Sequence, residues 1–277
     1  MQKQKRVIAI NDISSFGKCS LTVAISILGA AGLETCAVPT AVLSAHTGFK
    51  GYTFCDLTEN ILPAAKHWKS MELSFDGIYS GYLGSKEQVE CVSQIMDMFD
   101  FDIKLIDPVM GDDGVLYDGF LPEFCDEMKK LVKKADIIVP NVTESCLLTG
   151  IEYKSEHTKE YIEKLIKELK KISDASIIIT GINSKDDKIS TAVCEGDTVT
   201  YIENDKQRAV YSGTGDVFAS TFMSAIMLGN SLVESARLAA DFVGECIEIT
   251  KAISSSRHYG INFELNTKSL LEKLNIL

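Results

Sequence analysis

The sequence predicts an α/β protein, a three-layer α/β/α sandwich with a mostly parallel central sheet. Two observations predict it. Short apolar runs alternate with longer helical stretches through most of the chain, the pattern of parallel strands joined by crossover helices on both faces of a sheet. Polar, glycine-containing clusters follow the apolar runs, at the strand ends where open α/β sheets hold their ligands. With 277 residues, 45 % of them hydrophobic, the chain suits one large domain with a sizeable core. No repeat, linker or low-complexity tract interrupts it, so residues 1–277 are expected to form a single domain.

The elements follow in order. Arg6-Val-Ile-Ala-Ile10 reads as a buried strand, ending in loop chemistry at Asn11-Asp-Ile-Ser-Ser-Phe-Gly17. Ser20 to Ala31 reads as a buried helix stopped by Gly32, and Glu34 to Pro39 as a second strand. Ser44 to Gly51 is a polar loop, with no clear hairpin near Ala37–Gly51. Leu57 to Ser70 is an amphipathic helix. The middle alternates: strand Phe75–Tyr79, turn Ser80–Gly84, helix Lys86–Met98, strand Ile103–Ile106, helix Leu121–Lys133, strand Ile137–Val139. Pro140 to Glu144 opens a short helix ended by Gly150, and helix Lys159–Lys171 precedes strand Ser176–Thr180. Ile189–Cys194 and Thr198–Ile202 form a hairpin around Glu195-Gly-Asp197. Two long helices follow, the second near Leu232–Ile253, then a loop over Ser254–Gly260 and a final helix over Lys268–Leu274.

A net charge of −11 and a pI of about 4.9 argue against nucleic acid or an anionic membrane as partner. The eight cysteines are scattered without a C-x-x-C pair, which points to a reducing compartment, no zinc site and no disulfide framework. Val7–Ile10 is too short for a signal peptide core and Leu21–Leu33 too short to span a bilayer, so a cytoplasmic protein is expected. Of the four histidines, His67, His157 and His258 sit in contexts that read as surface, and His46 alone is placed for a ligand.

Tyr211-Ser-Gly-Thr-Gly-Asp216 runs straight into an apolar stretch that is free of Pro and charge until Gly229. Gly213 and Gly215 allow a tight turn and close approach of a ligand to the backbone. A turn at a helix N-terminus presents free N–H groups and the positive end of the helix dipole, hence an anion site. A carboxylate there needs a task. Asp216 is either a general base accepting a hydroxyl proton or a cap on the helix. Asp107, Asp112, Asp113 and Glu144 follow other strands and suit a metal–triphosphate, since Mg²⁺ prefers oxygen ligands. Asp112-Asp113-Gly114 also reads as a plain turn, Asn141 and Thr143 as helix caps, and Tyr82 as packing. No P-loop, H-E-x-x-H or G-x-S-x-G is present. Phe218 stands where a dinucleotide fingerprint needs its third glycine.

Together these residues resemble the ribokinase-like superfamily and, within it, the pyridoxal kinases. Gly213-Thr-Gly-Asp216 is the most specific element. Ser44-Ala-His-Thr-Gly48, Ser80-Gly-Tyr-Leu-Gly84, Asp107-Pro-Val-Met-Gly-Asp112 and Pro140-Asn-Val-Thr-Glu144 accompany it in the expected order. The resemblance implies direct, in-line transfer of the ATP γ-phosphate to the 5′-hydroxyl of a B6 vitamer. Asp216 would be the base, and the amides of Gly213, Thr214 and Gly215 would hold the transferred phosphoryl. Asp107, Asp112 and Glu144 would face the phosphates and Mg²⁺, with Asp112 and Glu144 as metal ligands. Tyr117, Asn141 and Thr180 would lie around the nucleotide. Asp12, His46, Thr47 and Tyr82 would line the pyridine side. The family commonly forms homodimers and is often helped by a monovalent cation such as K⁺.

One departure stands out. Many pyridoxal kinases have a serine at the position of Asp12, and a carboxylate there is expected to shift preference among vitamers. Hydroxymethylpyrimidine kinases share the fold but usually carry Cys at the position of Asp216. Sugar kinases of the superfamily generally add a β-sheet lid. A non-catalytic sensor of vitamer or nucleotide is the remaining alternative.

Overall fold

In the computed structural model of the chain, residues 3–183, 188–205, 211–253 and 259–277 are described. In chain order the elements are β1 (Arg6–Ser14), α1 (Ser20–Ala30), β2 (Glu34–Leu43), β3 (Phe54–Asp56), α2 (Thr58–Ser70), β4 (Gly77–Ser80), α3 (Lys86–Met98), β5 (Ile103–Ile106), β6 (Gly111–Asp112) and β7 (Val115–Leu116). Then come α4 (Pro122–Val132), β8 (Ile137–Ile138), α5 (Val142–Thr149), α6 (Lys159–Leu169), β9 (Ser176–Asn183), β10 (Lys188–Glu195), β11 (Thr198–Asp205), α7 (Thr214–Met227), α8 (Leu232–Ile253) and α9 (Thr267–Lys273).

Among the described residues a nine-stranded sheet runs in the order β11-β10-β9-β8-β5-β4-β1-β2-β3. Its central pairs, from β2 through β1, β4, β5 and β8 to β9, are parallel. The flanks, β2–β3, β9–β10 and β10–β11, are antiparallel. Alternation along each strand feeds two cores, because successive side chains point to opposite faces. Ile8, Ile10, Ile78, Ile106, Ile138 and Ile177 pack under α2 to α6. Val7, Ala9, Tyr79, Leu105, Ile137 and Ile178 pack under α1, α7, α8 and α9. The three-layer sandwich is therefore present as expected, and the parallel strand ends converge on one rim.

Three local differences bear on that rim. β1 does not stop at Ile10 but continues to Ser14 through a register shift between Asn11 and Ile13, so Asn11 and Asp12 belong to the strand. Burial explains this: Asn11 and Asp12 are 1 % and 4 % exposed, and hydrogen bonds satisfy them there. β2 likewise runs past Pro39 to Leu43, and Phe54–Asp56 folds back against Ala41–Leu43. A hairpin thus brackets the Ser44–Gly51 loop. Finally, Asp112-Asp113-Gly114 is the turn of a β6–β7 hairpin. Asp113 (φ 48°) and Gly114 (φ 81°) are both left-handed, the backbone of a type I′ turn, whose twist matches that of the strands it joins.

All eight cysteines, each among the described residues, are free thiols, and six of them are buried. No helix among the described residues is long and apolar enough to cross a membrane.

Candidate active site

Asn11 organises the end of β1. Its Oδ1 accepts from the amides of Asp12 (3.0 Å) and Tyr82 (2.9 Å), and its Nδ2 lies 3.5 Å from Asp216 Oδ1. One side chain thereby ties β1, the loop after β4 and the first turn of α7. Gly81 makes room for it, since a Cβ there would stand 2.3 Å from Asn11 Nδ2.

The turn before α7 depends on Gly213. Its φ is 76°, and a Cβ would stand 1.9 Å from the Lys18 carbonyl oxygen. Among the described residues no side chain caps α7, so its first amides are not taken by a capping group. Asp216 lies in this first turn but turns its carboxylate elsewhere: it accepts from the Ser20 amide at the start of α1, with Asn11 close by. Burial pushes Asp216 up to about 6. Nearby Asp12 adds to the rise, and the Ser20 amide and Asn11 oppose it. Of the two roles the sequence left open, this is not the geometry of a cap.

Beside it runs a row of acidic groups. Asp107, at the end of β5, is 7 % exposed. Burial first, and the Asp216 charge second, hold it well above the ordinary carboxylate range. Glu144 is raised by burial and by Asp107, although Oε1 accepts the Met110 amide (3.1 Å) and Oε2 the Asn141 amide (2.8 Å). Asn141 Oδ1 accepts the Glu144 amide in return (2.8 Å), completing a capping box on α5, and Asn141 Nδ2 donates to the Gly111 carbonyl (2.9 Å). Asp112 sits on the β6–β7 hairpin with its residue surface exposed; partial desolvation of its carboxyl, and then the Asp113 charge, raise it. Tyr117, 40 % exposed just past β7, has its phenol pushed up by burial and by Glu144, Asp112, Asp107 and Asp216. Thr180 ends the parallel part of β9: its amide donates to the Pro140 carbonyl (3.0 Å), and a bridge joins it to Asn141.

The charges that act most strongly on Asp107 and Glu144 are other carboxylates. A row of oxygen donors that repel one another suits a hard cation such as Mg²⁺. Among the described residues no three His, Cys, Asp or Glu side chains are arranged to hold a metal by themselves. Ligand oxygens, such as phosphates, would have to complete the coordination.

On the other side of Asp216, Asp12 accepts from Ser14 Oγ (2.8 Å) and from the Ser20 hydroxyl, and burial raises it. His46 is 8 % exposed, with its ring between Gly17 and Gly48, where Cβ atoms would stand 2.3 and 2.8 Å from it. Its Nδ1 accepts the Gly48 amide (3.1 Å). The Tyr82 phenol is pushed up to about 12 by burial, Asp12 and Tyr52, and its ring lies 5.6 Å from that of Phe120. Thr47 is exposed in the loop beside His46.

The rim thus has an uncapped helix end, a half-buried carboxylate of raised pKa, an acidic row on one side and a cluster of Asp12, His46 and Tyr82 on the other. The phosphomethylpyrimidine kinase family matches residues 25–261. The chain belongs to that family. A protein of Bacteroides thetaiotaomicron provisionally assigned as a phosphomethylpyrimidine kinase is 36 % identical in its solved structure, which covers 97 % of this chain and 94 % of that one with a TM-score of 0.93. A second crystal form of that protein contains pyridoxal. The pyridoxal kinase of Ovis aries is 28 % identical over 81 % of this chain and 78 % of its own. The hydroxymethylpyrimidine/phosphomethylpyrimidine kinase of Bacillus subtilis is 28 % identical over 72 % and 73 %. A provisionally assigned pyridoxal kinase of Saccharomyces cerevisiae is 32 % identical, but that match spans 55 % of this chain and 51 % of the yeast protein. The resemblance read from the motifs holds: this is a kinase-family chain of pyridoxal-kinase type with a ribokinase-like fold.

Within this phosphomethylpyrimidine kinase family member, some residues of the rim were not singled out from sequence. Asn11 did carry a signal, an amide at the end of an apolar strand beside Asp12. Ser20, Tyr52 and Phe120 carried none, because their partners Asp216 and Tyr82 lie far along the chain. One histidine reads differently too. His157 is 5 % exposed, not on the surface: Nδ1 accepts the Asn183 amide (2.9 Å) and Nε2 lies 2.7 Å from the Lys154 carbonyl oxygen. Pinning β9 to the preceding loop requires the ring inside. His67 is exposed as expected, and His258, with the rest of 254–258, lies outside the described residues.

Proposed function

We propose that this protein transfers the γ-phosphoryl group of ATP in line to the 5′-hydroxyl of a B6 vitamer, with Asp216 as general base. The observation that carries the reading is the first turn of α7. It supplies uncapped amides for the transferred phosphoryl and, within the same turn, a carboxylate raised to about 6 and so able to take a proton near neutral pH. Asn11 and the Ser20 amide orient that carboxylate. The amides of Gly213, Thr214 and Gly215 face the developing charge. Asp112 and Glu144, with Asp107 beside them, would hold Mg²⁺, which supplies positive charge against the phosphates when bound. Tyr117, Asn141 and Thr180 lie around the nucleotide in this reading. Asp12, His46, Thr47 and Tyr82 line the vitamer side, where Asp12 is available to the 3-hydroxyl, a protonated ring nitrogen or the amine of pyridoxamine. All of these residues come from one sheet and its connections, which supports a single catalytic domain.

Hydroxymethylpyrimidine phosphorylation is the second reading, favoured by the family match and by the Bacillus subtilis relative. The carboxylate at 216, where such kinases usually carry Cys, favours the vitamer.

The test is ADP release with Mg-ATP against pyridoxal, pyridoxine, pyridoxamine, hydroxymethylpyrimidine and ribose. Turnover of a B6 vitamer that Asp216→Asn abolishes is the expected result. Turnover of the pyrimidine alone moves the protein to the second reading. Silence across the panel in folded protein that binds ATP would favour a sensor or a substrate outside the panel. For Asp12, equal ratios of kcat/KM for pyridoxamine and pyridoxal in wild type and Asp12→Ser would remove it from vitamer choice.

A further inference from the structure

We propose that Thr143 is a latch: by holding the tip of the β6–β7 hairpin, it sets how tightly the protein retains ATP. This rests on the reading of the chain as an ATP-dependent kinase. Three side chains in the opening of α5 grip the hairpin at successive points. Glu144 Oε1 accepts the Met110 amide at the entrance and Asn141 Nδ2 donates to the Gly111 carbonyl in the first strand. Thr143 Oγ1 accepts the Gly114 amide in the turn at 2.9 Å.

The three grips are not equivalent. Asn141 and Glu144 also form the capping box of α5, so removing either loosens the helix. Thr143 takes no part in that box. Thr143 is 3 % exposed, and its hydroxyl reaches from α5 to the hairpin turn. Removing it releases the tip alone.

The tip borders open space on one side and Tyr153 on the other. A cavity of about 270 Å³ lies beside it, lined by Gly114, Thr143, Cys146, Leu147, Ile151 and Tyr153. Tyr153 closes on the turn so nearly that a Cβ at Gly114 would stand 2.5 Å from its ring. The hairpin itself is stiff, with two left-handed residues in its turn and the Tyr117 amide donating to the Met110 carbonyl across its base (2.9 Å). Movement at the tip is therefore transmitted to the base, and Asp112 and Tyr117 move with it. These are the two groups of the hairpin that face the acidic row. Thr143 acts through them and is a positioning residue, not a catalytic one.

The experiment compares wild type, Thr143→Val and Thr143→Ser in the full chain. Three quantities are read: the Kd for Mg-ATP by calorimetry, KM and kcat for ATP by ADP release, and hydrogen exchange of the Gly114 amide. Loss of one buried hydrogen bond predicts a Kd and KM for ATP raised about 3- to 10-fold in Thr143→Val, with kcat within about twofold of wild type. Exchange at Gly114 should quicken, and Thr143→Ser should restore all three. Thr143→Ala serves if the valine variant does not fold. Wild-type Kd and KM for ATP, or unchanged Gly114 exchange, in a folded hydroxyl-less variant would overturn the latch. If wild type itself binds no ATP and releases no ADP, the functional reading has failed instead.

Discussion

Two helices open onto the same rim, and their first turns are built in opposite ways. α5 begins at Asn141 with a complete capping box, its first amides taken by its own side chains and its remaining polar atoms gripping the β6–β7 hairpin. α7 begins at Gly213 with no side-chain cap and a backbone that only glycine fits. Capping satisfies the positive end of a helix from within, which makes a strut. Leaving it uncapped keeps the amides and the dipole available to an anion, which makes a site. Both sequences, Pro140–Glu144 and Gly213–Asp216, place an acid three residues after the N-cap. The first acid returns to its own N-cap amide, and the second turns to the Ser20 amide of another helix.

Breaking the open end should have the largest effect. Asp216→Asn is expected to lower kcat on the order of 10²- to 10⁴-fold while the Kd for Mg-ATP by calorimetry stays near wild type. In wild type, kcat/KM should fall as pH drops below about 6, where Asp216 becomes protonated. Gly213→Ala should cost about 2–4 kcal/mol in denaturant unfolding, because the new Cβ meets the Lys18 backbone carbonyl and the left-handed φ is strained as well. Gly215→Ala sharpens the contrast: nothing stands within 4 Å of a Cβ there, so its stability should be unchanged or up to about 1 kcal/mol better.

The proposed base should also cost stability. Asp216 is raised above its unfolded value, so its contribution to folding is fullest below about pH 4 and is lost as pH rises through about 6. Asp216→Asn should therefore be more stable than wild type at pH 7 by about 1–3 kcal/mol, a gain that vanishes near pH 4 in parallel melts. At the closed end the expected loss is smaller than at Gly213. Asn141→Ala should lose about 1 kcal/mol, the usual value of a cap, with faster exchange at the start of α5 as its signature.

The architecture was legible because it is written in short-range patterns. Ile8, Ala9 and Ile10 alternate, Phe218 and Phe222 share a helix face, and glycines end the helices. The Gly-Thr-Gly-Asp turn was legible for the same reason, since its chemistry is contained in adjacent residues. What escaped is long-range. β1 ends at Ile10 in the sequence reading because a buried amide and carboxylate read as loop until the partners Tyr82 and Asp216 are seen. β3 was missed because three exposed residues make a strand only against Ala41–Leu43. The β6–β7 hairpin did carry a local signal, Asp113-Gly114, but strands of two residues each have no periodicity to read. The spacing of side chains across the rim depends on strand order, which no local pattern encodes.

Asp113-Gly114 has one further consequence, for chemical ageing. At an aspartyl–glycine bond the glycine nitrogen can attack the aspartyl carboxyl with loss of water. Hydrolysis of the resulting succinimide leaves an isoaspartate and a main chain longer by one methylene. In this turn the attacking nitrogen has its N–H committed to Thr143, and both residues are fixed in left-handed conformations. The hydroxyl that fixes the shape of the hairpin also protects its covalent structure, so isoaspartate at 113 should accumulate faster on storage of Thr143→Val than of wild type, by peptide mapping.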